Sequence, residues 1–261
     1  MTTLLAKTRN LNSTILVTAL TLLGACTAAD RVPGDGIYDP YETQNRKVHA
    51  FNRNVDRALV RPVARGYSGS VPDELEATVD NFAENLGQPS NFVNSLLQAD
   101  LRGMGLSTVR FVMNTTIGIG GLVDAASEFG IPEHDTDFGE TLYVWGVGEG
   151  AYMELPFLGP STTRRTVGRV VDAVSNPLDF ALDSPEVYYD TAAGIVAGIG
   201  TRGRFSDTVD AILYESADSY AQTRLIYLQT RRFELGADVA DTAIDPYLDP
   251  YDDPYEAFDV E

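Results

Sequence analysis

The chain of 261 residues contains one cysteine, two histidines and one tryptophan, and its 38 acidic residues outnumber 19 basic ones. Each shortage excludes something. A single thiol cannot close an intramolecular disulfide, so packing alone must hold the fold, even in an oxidising compartment. A surface this acidic repels phosphate at long range, whereas nucleic-acid binding needs clustered Lys and Arg. An anionic membrane surface would repel it too, so attachment to lipid must rest on acyl chains and apolar contact. Long apolar runs are missing as well. Segments 111–123, 144–160 and 191–200 are glycine-rich and nearly uncharged, but Asn114, Glu149, Glu154 or repeated glycine interrupt them. None reaches the roughly 20 consecutive apolar residues of a spanning helix.

Catalytic and cofactor motifs are equally scarce. There is no Gly-x-Ser-x-Gly elbow to activate a nucleophile. Ile117-Gly118-Ile119-Gly120-Gly121 lacks the lysine and hydroxyl of a phosphate-binding loop. His134-Asp135-Thr136-Asp137 is one histidine with two acids, a pattern that reads as a solvated turn before it reads as a metal site. The sequence therefore predicts no enzyme, no metal and no cofactor beyond covalently attached acyl chains.

What is present begins with the cysteine. Lys7 and Arg9 precede an apolar stretch that ends Leu23-Gly24-Ala25-Cys26. A positive start, a short apolar run and small residues before the cut describe an export signal, and a cysteine at the cut supplies a thiol for lipidation. Residues 1–25 are read as the signal peptide, 26–37 as a lipidated tether, 38–237 as one helical domain and 238–261 as an acidic disordered tail. Loss of Lys7 and Arg9 takes the basic residues from 19 to 17 against 38 acidic ones, a formal charge of −21. Two acyl chains already anchor stably at roughly 0.8 kcal/mol per buried methylene. Thr27 in place of an aspartate favours passage to the outer membrane. The tail holds no basic residue and repeats Asp-Pro-Tyr at 245, 249 and 253; its prolines forbid helix and its like charges keep it extended.

The body reads as mainly α. Val48, Phe51, Val55 and Leu59 keep helical spacing, with Pro62 expected to stop that helix. Helices are expected over 73–86, 89–112 and 205–228, and 141–147 is the best strand candidate. Glycine-rich segments between helices fit a body that sinks into one leaflet without crossing it, or equally a soluble core with glycines at its turns.

The residues resemble one family along most of the mature chain. Asp39-Pro40-Tyr41-Glu42 with Asn45-Arg46, Phe51-Asn52, Arg61-Pro62-Val63-Ala64, Asn81-Phe82, Arg110-Phe111, Asn114-Thr115, Gly118, Gly120-Gly121 and Asp124 appear in order, then Phe138-Gly139, Gly146-Val147-Gly148, Leu155-Pro156, Asp218 and Tyr220. This series is similar to the MlaA (VacJ) lipoproteins of Gram-negative outer membranes. The resemblance implies a ring-like helical lipoprotein in the inner leaflet of the outer membrane, with a central amphipathic channel. It further implies removal of phospholipids that have strayed into the outer leaflet, transfer to a soluble periplasmic carrier, and work beside a trimeric porin. A phospholipid carries about 30 methylenes, so carrying it bare through water costs on the order of 20 kcal/mol at about 0.8 each, and a half-polar conduit removes most of that barrier.

On this reading the hairpin over 111–124 is the channel-wall candidate, with Arg110, Phe111, Asn114, Thr115, Gly118, Gly120 and Gly121 named; Arg110 is either a lipid-phosphate contact or, by preference, the partner of a nearby carboxylate. Phe51 and Asn52 are candidates for restraining access, against the plainer reading that they pack in the core. A structural scaffold lipoprotein that moves no lipid is the alternative, and a phospholipase a more distant one. Residues 176–203 depart from the family pattern.

Overall fold

The computed structural model describes residues 36–236; Cys26 and the acidic tail lie outside them. The described chain is mostly helical. Helix α1 (Glu42–Val55) passes through a π-helical segment (Asp56–Val60) into α2 (Arg61–Ser68). Next come α3 (Asp73–Leu97), α4 (Leu101–Thr116), the short α5 (Ala125–Glu128) and α6 (Phe138–Val144). Strands β1 (Tyr152–Leu155) and β2 (Gly159–Thr162) form an antiparallel hairpin with Tyr152 opposite Thr162. Helices α7 (Thr163–Ser175), α8 (Pro177–Ala181), α9 (Tyr189–Arg204) and α10 (Ser206–Asp210) follow, then a second π segment (Ala211–Glu215) and α11 (Ser219–Glu234).

The elements close a circuit. Helix α1 packs on β1, β2 on α7, α7 on α6, α6 on α3, α3 on α9 and α9 on α2, which leads back through the first π segment to α1. Helix α4 lies against α3, and α11 lies against β2 and the second π segment. Arginines of α11 tie it to other parts of the circuit: Arg224 to Asp39 at 2.6 Å, Arg231 to Asp137 at 2.8 Å and Arg232 to Glu149 at 2.8 Å.

Three expectations are corrected. Pro62 does not stop the first helix, because it falls in the opening turn of α2, where the N–H it lacks is not missed. Pro89 lies inside α3, whose packing against α4 and α9 outweighs a proline cost of about 3 kcal/mol. The break comes at Ala99, left-handed at φ 58°, where the Asp100 amide bonds the Ser95 carbonyl and the Ala99 amide that of Leu96. Asp100 then accepts from the Arg102 amide and starts α4. The strand expected over 141–147 is helical instead: Asp137 accepts from the Glu140 amide and opens α6, a local cap that defeats the β-rich composition. The strands lie further on, at 152–155 and 159–162.

Burial is distributed against the usual rule. Ten hydrophobic residues are buried among the described residues, five of them alanine, while thirty large hydrophobics are exposed. Nineteen polar or charged residues are buried. Water sorts side chains the other way, so an apolar medium is the environment that fits this exterior.

Candidate functional site

Three helices turn amides and charges inward at helical spacing. In α1 the buried residues are Asn45 and His49. Asn45 donates to the Tyr152 carbonyl and accepts from the Glu154 amide, and His49 contacts the Glu154 carboxylate and the Ser219 hydroxyl. In α3 the inward row is Asn85, Gln88, Asn91, Asn94 and Ser95. Asn91 donates to Asp135, Asn94 to Asp172, and Gln98 one turn on to Thr136 and Thr141. In α4 it is Gly103, Ser107, Arg110 and Asn114, while Leu101, Val109 and Val112 are exposed on the same helix. A helix of this kind has an apolar exterior and a polar interior, the reverse of a surface helix in water.

Arg110 is 1 % exposed. Its guanidinium donates to Asp124 at 3.0 Å, to the Ser127 hydroxyl and to the Ile131 carbonyl. Asn114 donates to the other oxygen of Asp124 and accepts from the Ala126 amide. Burial pushes the Asp124 carboxyl up, but hydrogen bonds from Ser127, Asn114 and Arg110 outweigh it and hold the group below its ordinary value. Nearby, burial and the carboxylates of Glu133 and Asp135 push Glu84 up to about 7.

The hairpin between α4 and α5 grows from this knot. The Gly120 amide bonds the Thr115 carbonyl, the Gly121 amide that of Asn114, and the Val123 amide that of Gly118. A Cβ on Gly118 would stand 2.1 Å from the Val123 carbonyl. Gly121, at φ 92°, lies against Asn85, which also donates to Thr115. Gly120, at φ 73°, faces open space. The tip exposes Ile117, Ile119, Leu122 and Val123. The seven candidate residues therefore do not present one surface. Arg110, Asn114, Gly118 and Gly121 are buried within the knot, Phe111 is half-buried, and Thr115 and Gly120 are exposed.

The access candidates sit across from the β-hairpin. Phe51 meets Phe157 edge to face, with ring centroids 5.1 Å apart. Asn52 donates to the Leu155 carbonyl at 2.9 Å and accepts from the Phe157 amide at 2.8 Å, gripping both sides of the turn. Phe157 and Leu158 at that turn are 75 % and 63 % exposed. Sequence reading passed over those two residues and over the amide row of α3, although amides recurring every three residues in one helix are a signal visible in the letters. His134 pairs with Asp100 at 3.4 Å. Asp135 accepts from Asn91, and Asp137 caps α6 and holds Arg231. That segment is thus a structural joint and not the solvated turn expected. No group of metal-binding residues occurs among the described residues, and no described helix is long and apolar enough to cross a membrane.

Comparisons with known proteins agree with one another. The family model described as MlaA lipoprotein matches residues 37–234. The chain is 36 % identical over 223 residues to the intermembrane phospholipid transport system lipoprotein MlaA of Escherichia coli strain K12 and to that of Shigella flexneri, covering 84 % of this chain and 86 % of each relative. An uncharacterized protein of Rickettsia felis is 36 % identical over 189 residues, 72 % of this chain and 74 % of its own. A solved structure from work on the structural basis for maintenance of bacterial outer membrane lipid asymmetry superposes with a TM-score of 0.65 at 33 % identity, covering 76 % of this chain and 98 % of the other.

Proposed function

The chain belongs to the MlaA lipoprotein family, and from that premise we propose that it removes misplaced phospholipids from the outer leaflet of the outer membrane and hands them to a soluble periplasmic carrier. The inverted burial supports this most directly: thirty exposed large hydrophobics surround a circuit of elements lined with buried amides and ion pairs. Such a body is stable with its rim in acyl chains, and its polar interior offers a headgroup a path that hydrocarbon does not. Acyl chains on Cys26 hold it to the inner leaflet from the periplasmic side, and a trimeric porin is its neighbour in the membrane.

The apolar tip of the hairpin, Ile117, Ile119, Leu122 and Val123, gives that segment its place in lipid. Of the seven hairpin candidates, Arg110, Asn114, Gly118 and Gly121 support part of the passage wall from within the Asp124 knot, without direct headgroup contact from Arg110, while Phe111, Thr115 and Gly120 lie nearer its surface. Phe51 and Asn52 hold the Phe157 turn and restrain access. No chemistry is done on the lipid.

The test compares outer-leaflet phospholipid in cells with and without the gene. Accumulation on deletion, reversed by the wild-type chain, is the expected result. Unchanged asymmetry would leave the scaffold reading in its place, and release of lysophospholipid or free fatty acid from vesicles by the pure protein would point to a phospholipase.

A further inference from the structure

Arg164 stands out among the buried cations because it has no carboxylate within salt-bridge distance among the described residues. It is 5 % exposed at the start of α7, donates one hydrogen bond from Nη1 to the Val147 carbonyl at 3.0 Å, and lies over the Tyr143 ring at 5.0 Å. Its Nε and Nη2 have no hydrogen-bond partner among the described residues, yet neither is sealed from solvent. Arg164 lines a cavity of about 330 Å³ together with Tyr143, Val147, Gly148, Glu149, Arg232 and Leu235. Glu149 does not neutralise Arg164, since both its oxygens are taken by Arg232, at 2.8 and 3.0 Å. A cation stripped of most of its water and given one neutral acceptor is costly, and burial accordingly lowers the Arg164 pKa. The second cavity of similar size differs: its Arg46 is already bound to Asp218 and Glu42.

The walls of the Arg164 cavity are partly apolar, and Val144 and Trp145 beside it are more than half exposed. Trp145 donates its indole N–H to the Leu97 carbonyl, so the ring is held at the surface, where tryptophan suits a membrane–water boundary. A buried cation beside an apolar rim fits an amphiphile with an anionic head. Guanidinium also matches phosphate oxygens with paired donors.

We propose that this cavity is a phosphate-binding subsite, with Arg164 receiving the phosphodiester of a phospholipid headgroup and the Tyr143–Leu235 walls receiving its glycerol region. The proposal rests on the lipid-transport reading for the source of the phosphate, but the binding chemistry stands without it.

Trp145 is the only tryptophan and lies in the chain between Tyr143 and Gly146, both of which line the cavity, so its fluorescence serves as the readout. The full chain in neutral detergent is titrated with dihexanoyl phosphatidylglycerol, with dihexanoylglycerol and with inorganic phosphate. Saturable change is expected with the phospholipid, at least tenfold weaker with inorganic phosphate, and none with the uncharged diacylglycerol. R164Q should weaken phospholipid binding at least tenfold while keeping the thermal melting of the parent, and R164K should recover part of it. Equal response to dihexanoylglycerol, or unchanged affinity in R164Q, would overturn the proposal. If R164Q melts early, R164K decides: a folded R164K that binds like R164Q overturns it. Tighter binding of inorganic phosphate than of phospholipid also overturns the lipid assignment. Failure of transport is read separately, from outer-leaflet phospholipid in deletion cells, so loss of one result does not decide the other.

Discussion

Neutralising Asp210 tests whether ion pairs hold the circuit shut. Its side chain is 7 % exposed and accepts from Arg61, from Arg65 at 2.7 Å and from Arg202 at 2.6 Å. Arg202 also grips Asp56, and Tyr214 donates to Asp56, so this cluster clamps the two π segments together. Arg65 and Arg61 are a third to a half exposed, and their share is small. The Arg202–Asp210 pair is the buried one, and breaking such a pair costs about 3–5 kcal/mol. Because Arg202 keeps Asp56, the low end applies to D210N, about 3 kcal/mol. For a body of this size that lowers Tm by about 6–12 °C, at roughly 2–4 °C per kcal/mol. The assay is thermal unfolding by circular dichroism in detergent micelles. The comparison is D207N, whose carboxylate is fully exposed and 3.8 Å from Arg65, and which should leave the melting temperature at that of the parent. Burial alone would raise the Asp210 pKa, but hydrogen bonds from Arg61 and Arg202 hold it below its ordinary 3.8. The contribution is therefore complete above that value and shrinks as pH falls below it, so parent and variant should converge in acid. Equal melting of D210N and D207N at pH 7 would refute the reasoning.

Glu84 titrates the opposite way: its folded value near 7 lies above the ordinary 4.5, so stability falls as pH rises between them, and E84Q should raise Tm at pH 8 but not at pH 4. Identical Tm differences at the two pH values would remove Glu84 from this role. In the hairpin, G121A must place a Cβ 2.6 Å from Asn85 at φ 92°, whereas G120A meets only the strain of a positive φ. Urea unfolding should show G121A as the more damaging, and the reverse order would mean the turn is placed differently. C26S should lack acyl chains by mass spectrometry, and acylation equal to wild type in that variant would show that the anchor is not there.

Much of this was legible in the letters. The ordered family motifs point to a helical lipid-handling body, and the family match over 37–234 agrees. The helix boundaries were less accessible. Pro62 and Pro89 are local signals, and both were overridden by the register of the neighbouring turn and by packing along α3. The short run Thr141-Leu142-Tyr143-Val144 has strand composition, yet one capping carboxylate at Asp137 decides its state. Arg164 carried no signal in the sequence at all, since a buried unpaired guanidinium is defined by what fails to surround it.

The outward-facing side chains have a consequence away from lipid. Leu101, Ile119, Phe157 and Phe180 are all exposed, so any stretch of water that the chain meets before lipid leaves them uncovered. Hydrophobic collapse would favour burying them and dragging the amides out, so the arrangement is metastable wherever lipid is absent. Copies held in water without detergent or lipid should clump, and an apolar phase over the rim should keep them apart.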